Sequence, residues 1–247
     1  MKHLSAKLKA FSIHLILSGL IIGAFLLAVT QLWYPGVLFE IEDVWEGLQI
    51  LIPVDAILGP LLTLVLFVPG KKGLMLDLTV IALLQLGALF YGGYTIYQQR
   101  PIGYVFVVDR FEVVVASEPF IADIPMERFK NESQSFPFMS YVLMARSAKE
   151  RSKSITSGIN FKNVGERHYT IRGNMDDIIA NSIQLADLKP KNEEHLLLLE
   201  NFITRNKNNK NLILLPLQGT TYKTSTIVLN KETLVIQEYL PFSIWDL

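Results

Sequence analysis

The sequence predicts a membrane protein: three N-terminal transmembrane α-helices followed by a soluble mixed α+β domain. Three observations carry this. Half of the 247 residues are hydrophobic and only 19% are charged, against about 25% in typical soluble chains. The apolar excess is gathered into three long runs within the first hundred residues. The remaining residues, 101–247, mix β-rich runs with amphipathic helical patterns of ordinary polarity.

The first run, 11–32, holds 22 residues without a formal charge, enough at about 1.5 Å per residue to cross roughly 30 Å of hydrocarbon. It outlasts the 7–15-residue apolar region of a signal peptide and ends at bulky Trp33 and Tyr34, so it reads as a span and not as a cleaved leader. The second and third spans are 48–68 and 78–97, joined by the tight turn Pro69-Gly70-Lys71-Lys72-Gly73. Lys2, Lys7 and Lys9 precede the first span and Lys71 and Lys72 follow the second, which assigns both segments to the cytoplasm. The loop between the first two spans has no Lys or Arg and carries Glu40, Glu42, Asp43 and Glu46 beside Trp33, Tyr34 and Trp45, as an outer loop with interfacial aromatics should. Residues 101–247 then lie outside, in the periplasm of a Gram-negative host. Arg100 sits on the disfavoured side, one charge against five.

In the outer domain, 104–108 and 111–116 read as a hairpin turning at Asp109-Arg110. An amphipathic helix is expected from Asp176 to Asp187, with Ile178, Ile179, Ile183 and Ala186 inward and Pro190 stopping it. A second follows Asn192 as N-cap, with Glu193 and Glu194 in the first turn and Leu196, Leu199 and Ile203 on one face. Runs 212–217, 222–229 and 234–239 read as three closing strands. The polar stretch 147–157 fits either a solvated helix or a loop.

Several chemistries are excluded. The chain has no cysteine, so thiol nucleophiles, cysteine-ligated metals and disulfides are absent. Its net charge of zero argues against a nucleic-acid partner. His3, His14, His168 and His195 lack metal-binding spacing. Gly70-Lys71 is not a phosphate loop, because Val65 and Lys72 stand where Gly and Ser or Thr are required. Asp176-Asp177 and Glu193-Glu194 suit helix starts better than acid–base work. No catalytic residue, cofactor or metal site is expected.

Asp55 is the most informative residue, since an ionised Asp at mid-membrane costs about 2.5–3.5 kcal/mol. Two readings stay open: a polar contact or proton-linked site inside the membrane, with His14 as a candidate partner, or simple wetting near the outer interface. Pro53 and Pro60 flank it with Gly59, so the helix should kink and its freed carbonyls need partners. In the third span Ala88 and Gly92 are four apart, as are Gly87 and Tyr91, with Gly93 following. That spacing fits docking of another helix or packing within the bundle. Gln85 adds a polar group to the same helix.

These residues belong to a recognisable order. Lys9-Ala10-Phe11, Ile13-His14-Leu15, Trp33-Tyr34-Pro35, Leu38-Phe39, and Asp55 followed by Leu58-Gly59-Pro60-Leu61-Leu62-Thr63-Leu64 come first. Pro69-Gly70-Lys71-Lys72, Asp77-Leu78, Gln85-Leu86, Tyr91-Gly92, Arg100-Pro101 and Asp109-Arg110-Phe111 continue it. Over about the first 115 residues the chain resembles type IV pilin accessory proteins of the TfpX/TfpZ family. That resemblance implies a non-enzymatic protein of the bacterial inner membrane that assists assembly of a major type IV pilin or tunes pilus extension against retraction. The implied partners are that pilin, other pilus-assembly membrane proteins and the lipid bilayer. His14, Asp55, Pro60, Gln85, Ala88 and Gly92 are the candidate pilin-contact residues, and Asp77, Asp109 and Arg110 match the family's pattern without an assigned role. The alternative is a membrane-anchored periplasmic ligand sensor, which would need a partner for its output. A pilin-modifying transferase ranks third.

Overall fold

A computed structural model describes residues 3–118, 138–144, 161–183 and 193–246, with a few single positions between them. Asn192, Pro190, the end of the helix expected up to Asp187, and most of 147–157 lie outside the described residues. The chain divides into two compact units, Met1–Arg100 and Pro101–Leu247.

In the first unit, α1 (Leu4–Ala28) continues through a π turn, Val29–Trp33, to give a 30-residue apolar helix. Apolar side chains surround it; Ile16, Leu20, Leu27 and Leu32 are all more than half exposed. A helix that is hydrophobic all round with little of it buried belongs in lipid. α2 (Leu38–Ile41) is a single turn in the following loop. The second long helix is composite: α3 (Val44–Pro53), a π turn Val54–Leu58 and α4 (Gly59–Leu66). Its distortion has a local cause. The Gly59 amide bonds the Val54 carbonyl five residues back, and the next rung fails because Pro60 has no N–H for Asp55. α5 (Leu74–Gln98) follows a turn in which Gly73 takes φ +88°. Asp77 lies in its first turn, where a carboxylate favours the helix dipole, and pairs with Lys71. Lys7 Nζ donates to the Val65 carbonyl at 2.8 Å, so a lysine of the N-terminal segment also satisfies an orphan carbonyl at the end of α4. At the opposite end Trp33 packs edge-on against Phe25 and Tyr97, and the Arg100 guanidinium lies 3.7 Å from the centre of the Tyr97 ring. All three long helices have the length and composition to cross a membrane.

The second unit is built on a seven-stranded mixed sheet. Its strands are β1 (Pro101–Val107), β2 (Arg110–Val115), β3 (Phe138–Val142), β4 (His168–Tyr169), β5 (Leu212–Gln218), β6 (Thr224–Asn230) and β7 (Ile236–Leu240). The order is β4-β3-β1-β2-β5-β6-β7, with β1/β3 and β2/β5 parallel and the other pairs antiparallel. The β1–β2 turn falls one residue earlier than expected. Val107 pairs with Arg110, leaving Val108 and Asp109 as the turn, with Val108 at φ +62°. Among the described residues, two α-helices lie between β4 and β5. α6 (Met175–Ala180) is shorter than the helix expected from Asp176 to Asp187. It stops because the Asn181 amide side chain and the Ser182 hydroxyl bond back to the Asp177 and Ile179 carbonyls, competing with further helical rungs. Ile183 instead pairs with Leu214 on the sheet. α7 (Glu193–Asn206) packs Leu199 and Phe202 onto Leu212, Leu214, Val228 and Leu240. Phe202 is an anchor missing from the expected face, whereas Leu196 is only partly buried. A second cluster gathers Val105, Val107, Val114, Phe129, Phe138 and Val142.

Candidate functional site

The buried polar residues of the membrane unit, among those described, are Ser18, Asp55 and Thr63. Asp55 is 5% exposed, and neither of its carboxylate oxygens has a hydrogen-bond partner among the described residues. Its backbone carbonyl, orphaned by Pro60, accepts from Gln85 Nε2 on α5 at 3.2 Å. Gly59 makes that contact possible, since a Cβ there would fall 2.0 Å from Gln85 Nε2. Gln85, Gly59, Pro60 and Asp55 thus form one structural unit: a proline removes a donor, a glycine opens the approach, and a glutamine from the next helix replaces the bond. His14 of α1 does not bond Asp55. Its Nδ1 lies 2.6 Å from Thr63 Oγ1 on α4, which ties the first helix to the second.

The second helix packs against both α1 and α5. Between α1 and α5 runs a groove of three adjoining cavities. The middle one, about 210 Å³, is lined by His14, Ser18, Asp55, Gln85, Leu86 and Leu89. One of about 570 Å³ shares His14, Leu17 and Ala82 with it and reaches Ala6 and Pro69; one of about 450 Å³ shares Leu86 and Leu89 and reaches Trp33 and Tyr97. The small residues of α5 divide between two uses. A Cβ on Gly92 would meet Leu51 Cδ1 at 2.5 Å, and Gly93 abuts Phe25, so both serve packing within the bundle. Ala88 is exposed, and Gly87 has nothing within 4 Å of its Cβ position.

In the second unit Asp109 and Arg110 open a chain of alternating charges. Arg110 Nη1 pairs with Asp109 Oδ1 at 2.8 Å and Nε with Glu112 Oε1 at 3.4 Å, while Lys162 Nζ lies 3.3 Å from Glu112 and 3.6 Å from Glu118. Burial pushes the Glu118 carboxyl up, against the opposing pull of Lys162. This network ties the β1–β2 hairpin to the segment before β4, a structural use of the Asp109-Arg110 pair.

One buried pair has no signature in the sequence. Ser140 and His168 are fully buried and 2.8 Å apart, Oγ to Nδ1, while His168 Nε2 lies 2.8 Å from the Lys162 carbonyl. A carbonyl only accepts, so Nε2 carries the proton and Nδ1 accepts from the serine hydroxyl. The wiring is similar to that of an activated serine, but the burial leaves a substrate no approach. Burial holds the His168 pKa below its ordinary 6.5, with the Lys162 bond acting the other way. The unfolded chain therefore takes up this proton first, and stability present above pH 6.5 is lost as the pH falls below it. Thermal unfolding of the full chain in detergent should show a Tm that falls with acidification below that point. His168→Gln should flatten the slope; an unchanged slope would assign the acid sensitivity elsewhere.

No family model matches the chain, and no solved structure matches it. Curated relatives do. The chain is 29% identical over 153 residues to "Fimbrial assembly protein, serogroup I" of Dichelobacter nodosus, covering 60% of this chain and 59% of the relative. It is 27% identical over 165 residues to the serogroup E1 protein, covering 64% and 63%, and 29% identical over 119 residues to the protein of serogroups C1 and C2, covering 47% and 91%. The chain thus spans about three fifths of the length of the first two.

Proposed function

We propose that this protein is a non-enzymatic accessory factor of type IV pilus assembly, of the TfpX/TfpZ kind, held in the bacterial inner membrane by its three N-terminal helices. The observation that carries this reading is the pairing of the fimbrial-assembly similarity with three helices able to span a bilayer. Lys2, Lys7, Lys9, Lys71 and Lys72 support a cytoplasmic N-terminus and a periplasmic sheet domain. In this account the membrane bundle engages the major pilin's transmembrane helix while the sheet domain meets its globular part. The protein then supports pilin assembly or shifts the balance of extension over retraction.

Deleting the gene and measuring sheared surface pilin, with the retraction motor active or disabled, tests this. Loss rescued by disabling retraction places the protein in the extension–retraction balance; loss in both backgrounds places it in assembly itself. Full surface pilin in both would overturn the proposal.

A further inference from the structure

We propose that the groove between α1 and α5 is a docking slot for one transmembrane helix of a partner protein, a helix carrying a basic group at the depth of Asp55. The inference rests on the preceding reading only for the partner's identity. Its first support is dimension. Along α1 the groove runs from Ala6 to Trp33, about 40 Å at 1.5 Å per residue, which exceeds the roughly 30 Å of hydrocarbon that a membrane helix crosses. The slot is therefore as long as a spanning helix.

The second support is chemical. The groove walls are mainly apolar towards both ends, with Lys9 at one of them, and polar at the level where His14, Ser18, Asp55 and Gln85 meet. The His14 ring is engaged by Thr63 and the Gln85 amide by the Asp55 backbone. The Asp55 carboxyl, at 5% exposure, makes no well-formed hydrogen bond among the described residues, although the Gln85 amide and the His14 ring stand close to it. A buried carboxyl without a well-formed hydrogen bond is costly, and such a residue inside a membrane bundle marks a function by default. Acyl chains would fill the apolar ends and leave the carboxyl unanswered. An ammonium or guanidinium offers several donors and satisfies both oxygens. A second copy of this chain supplies no ammonium or guanidinium at that depth, because its apolar runs 11–32, 48–68 and 78–97 contain no Lys or Arg and its His14 ring is engaged by Thr63.

The test uses the full chain in its host membrane, with a photo-crosslinking residue at Ala82 or Leu86 in the slot, or at Val80 or Leu84 elsewhere on the same helix. The slot positions should join a peptide of a partner's transmembrane helix that bears a basic group, at least tenfold more than the control positions do. Asp55→Leu should reduce that yield at least tenfold, and Asp55→Asn, which keeps the size, should reduce it as well. Purified Asp55→Leu should unfold at a temperature equal to or above that of the unaltered chain, since the unpartnered carboxyl is gone. Crosslinks to lipid alone, to a second copy, or equally from the control positions would overturn the slot, as would a yield indifferent to Asp55. If the slot fails while deletion still removes surface pili, the accessory reading survives; if the slot captures a helix of a protein without a part in pili, that reading falls and the slot stands.

Discussion

Phe106→Ala is expected to destabilise the sheet domain by about 3–5 kcal/mol, the usual cost of deleting a fully buried phenylalanine ring. Phe106 is completely buried on β1, edge-on to Phe111 at 5.4 Å and stacked on Tyr141 at 5.8 Å. It therefore links the β1–β2 hairpin to the parallel partner β3. Removing the ring leaves a cavity where these strands meet, and neither neighbour can close it without losing its own packing. Thermal unfolding of the full chain in detergent, read by circular dichroism, should show a loss of about ten degrees or more at the domain's transition. A loss below about 1 kcal/mol would mean that Phe106 is not part of the core.

In the bundle, Gly92→Leu is expected to cost about 1–3 kcal/mol, whereas Gly87→Leu on the same helix should stay within about 0.5 kcal/mol. The contrast is geometric: a Cβ at Gly92 overlaps Leu51, and at Gly87 it meets nothing within 4 Å. Comparing detergent-solubilised variants by thermal stability decides between packing and display. Equal tolerance of both leucines would mean that α5 does not press on α3 as described. Gly92 is accordingly a poor position at which to probe a partner, because its substitution damages the bundle first.

The membrane half is largely legible in the sequence because its signals are local: uninterrupted apolar runs, lysines at their ends and prolines flanking an acidic residue. The need of the freed carbonyl for a donor is also legible, and Gln85 stands out as polar in an apolar helix. Their pairing is not, because it depends on Gly59 letting α5 approach. Nor does the sequence carry the width left between α1 and α5. In the sheet domain, β1, β2, β5, β6 and β7 stand out as β-rich runs. β3 and β4 do not. β3 is a five-residue strand paired in parallel with β1, and β4 has only two residues held by β3. The Ser140–His168 contact spans 28 residues and has no spacing rule that announces it.

Asp55 is the residue on which the proposed function and the docking slot converge. Its most direct test is surface pilin sheared from a deletion strain that carries either the unaltered chain or Asp55→Leu at matched membrane levels. The account predicts that Asp55→Leu restores less than about a tenth of the surface pilin, although the variant is at least as stable as the unaltered protein. Full restoration by Asp55→Leu would contradict it.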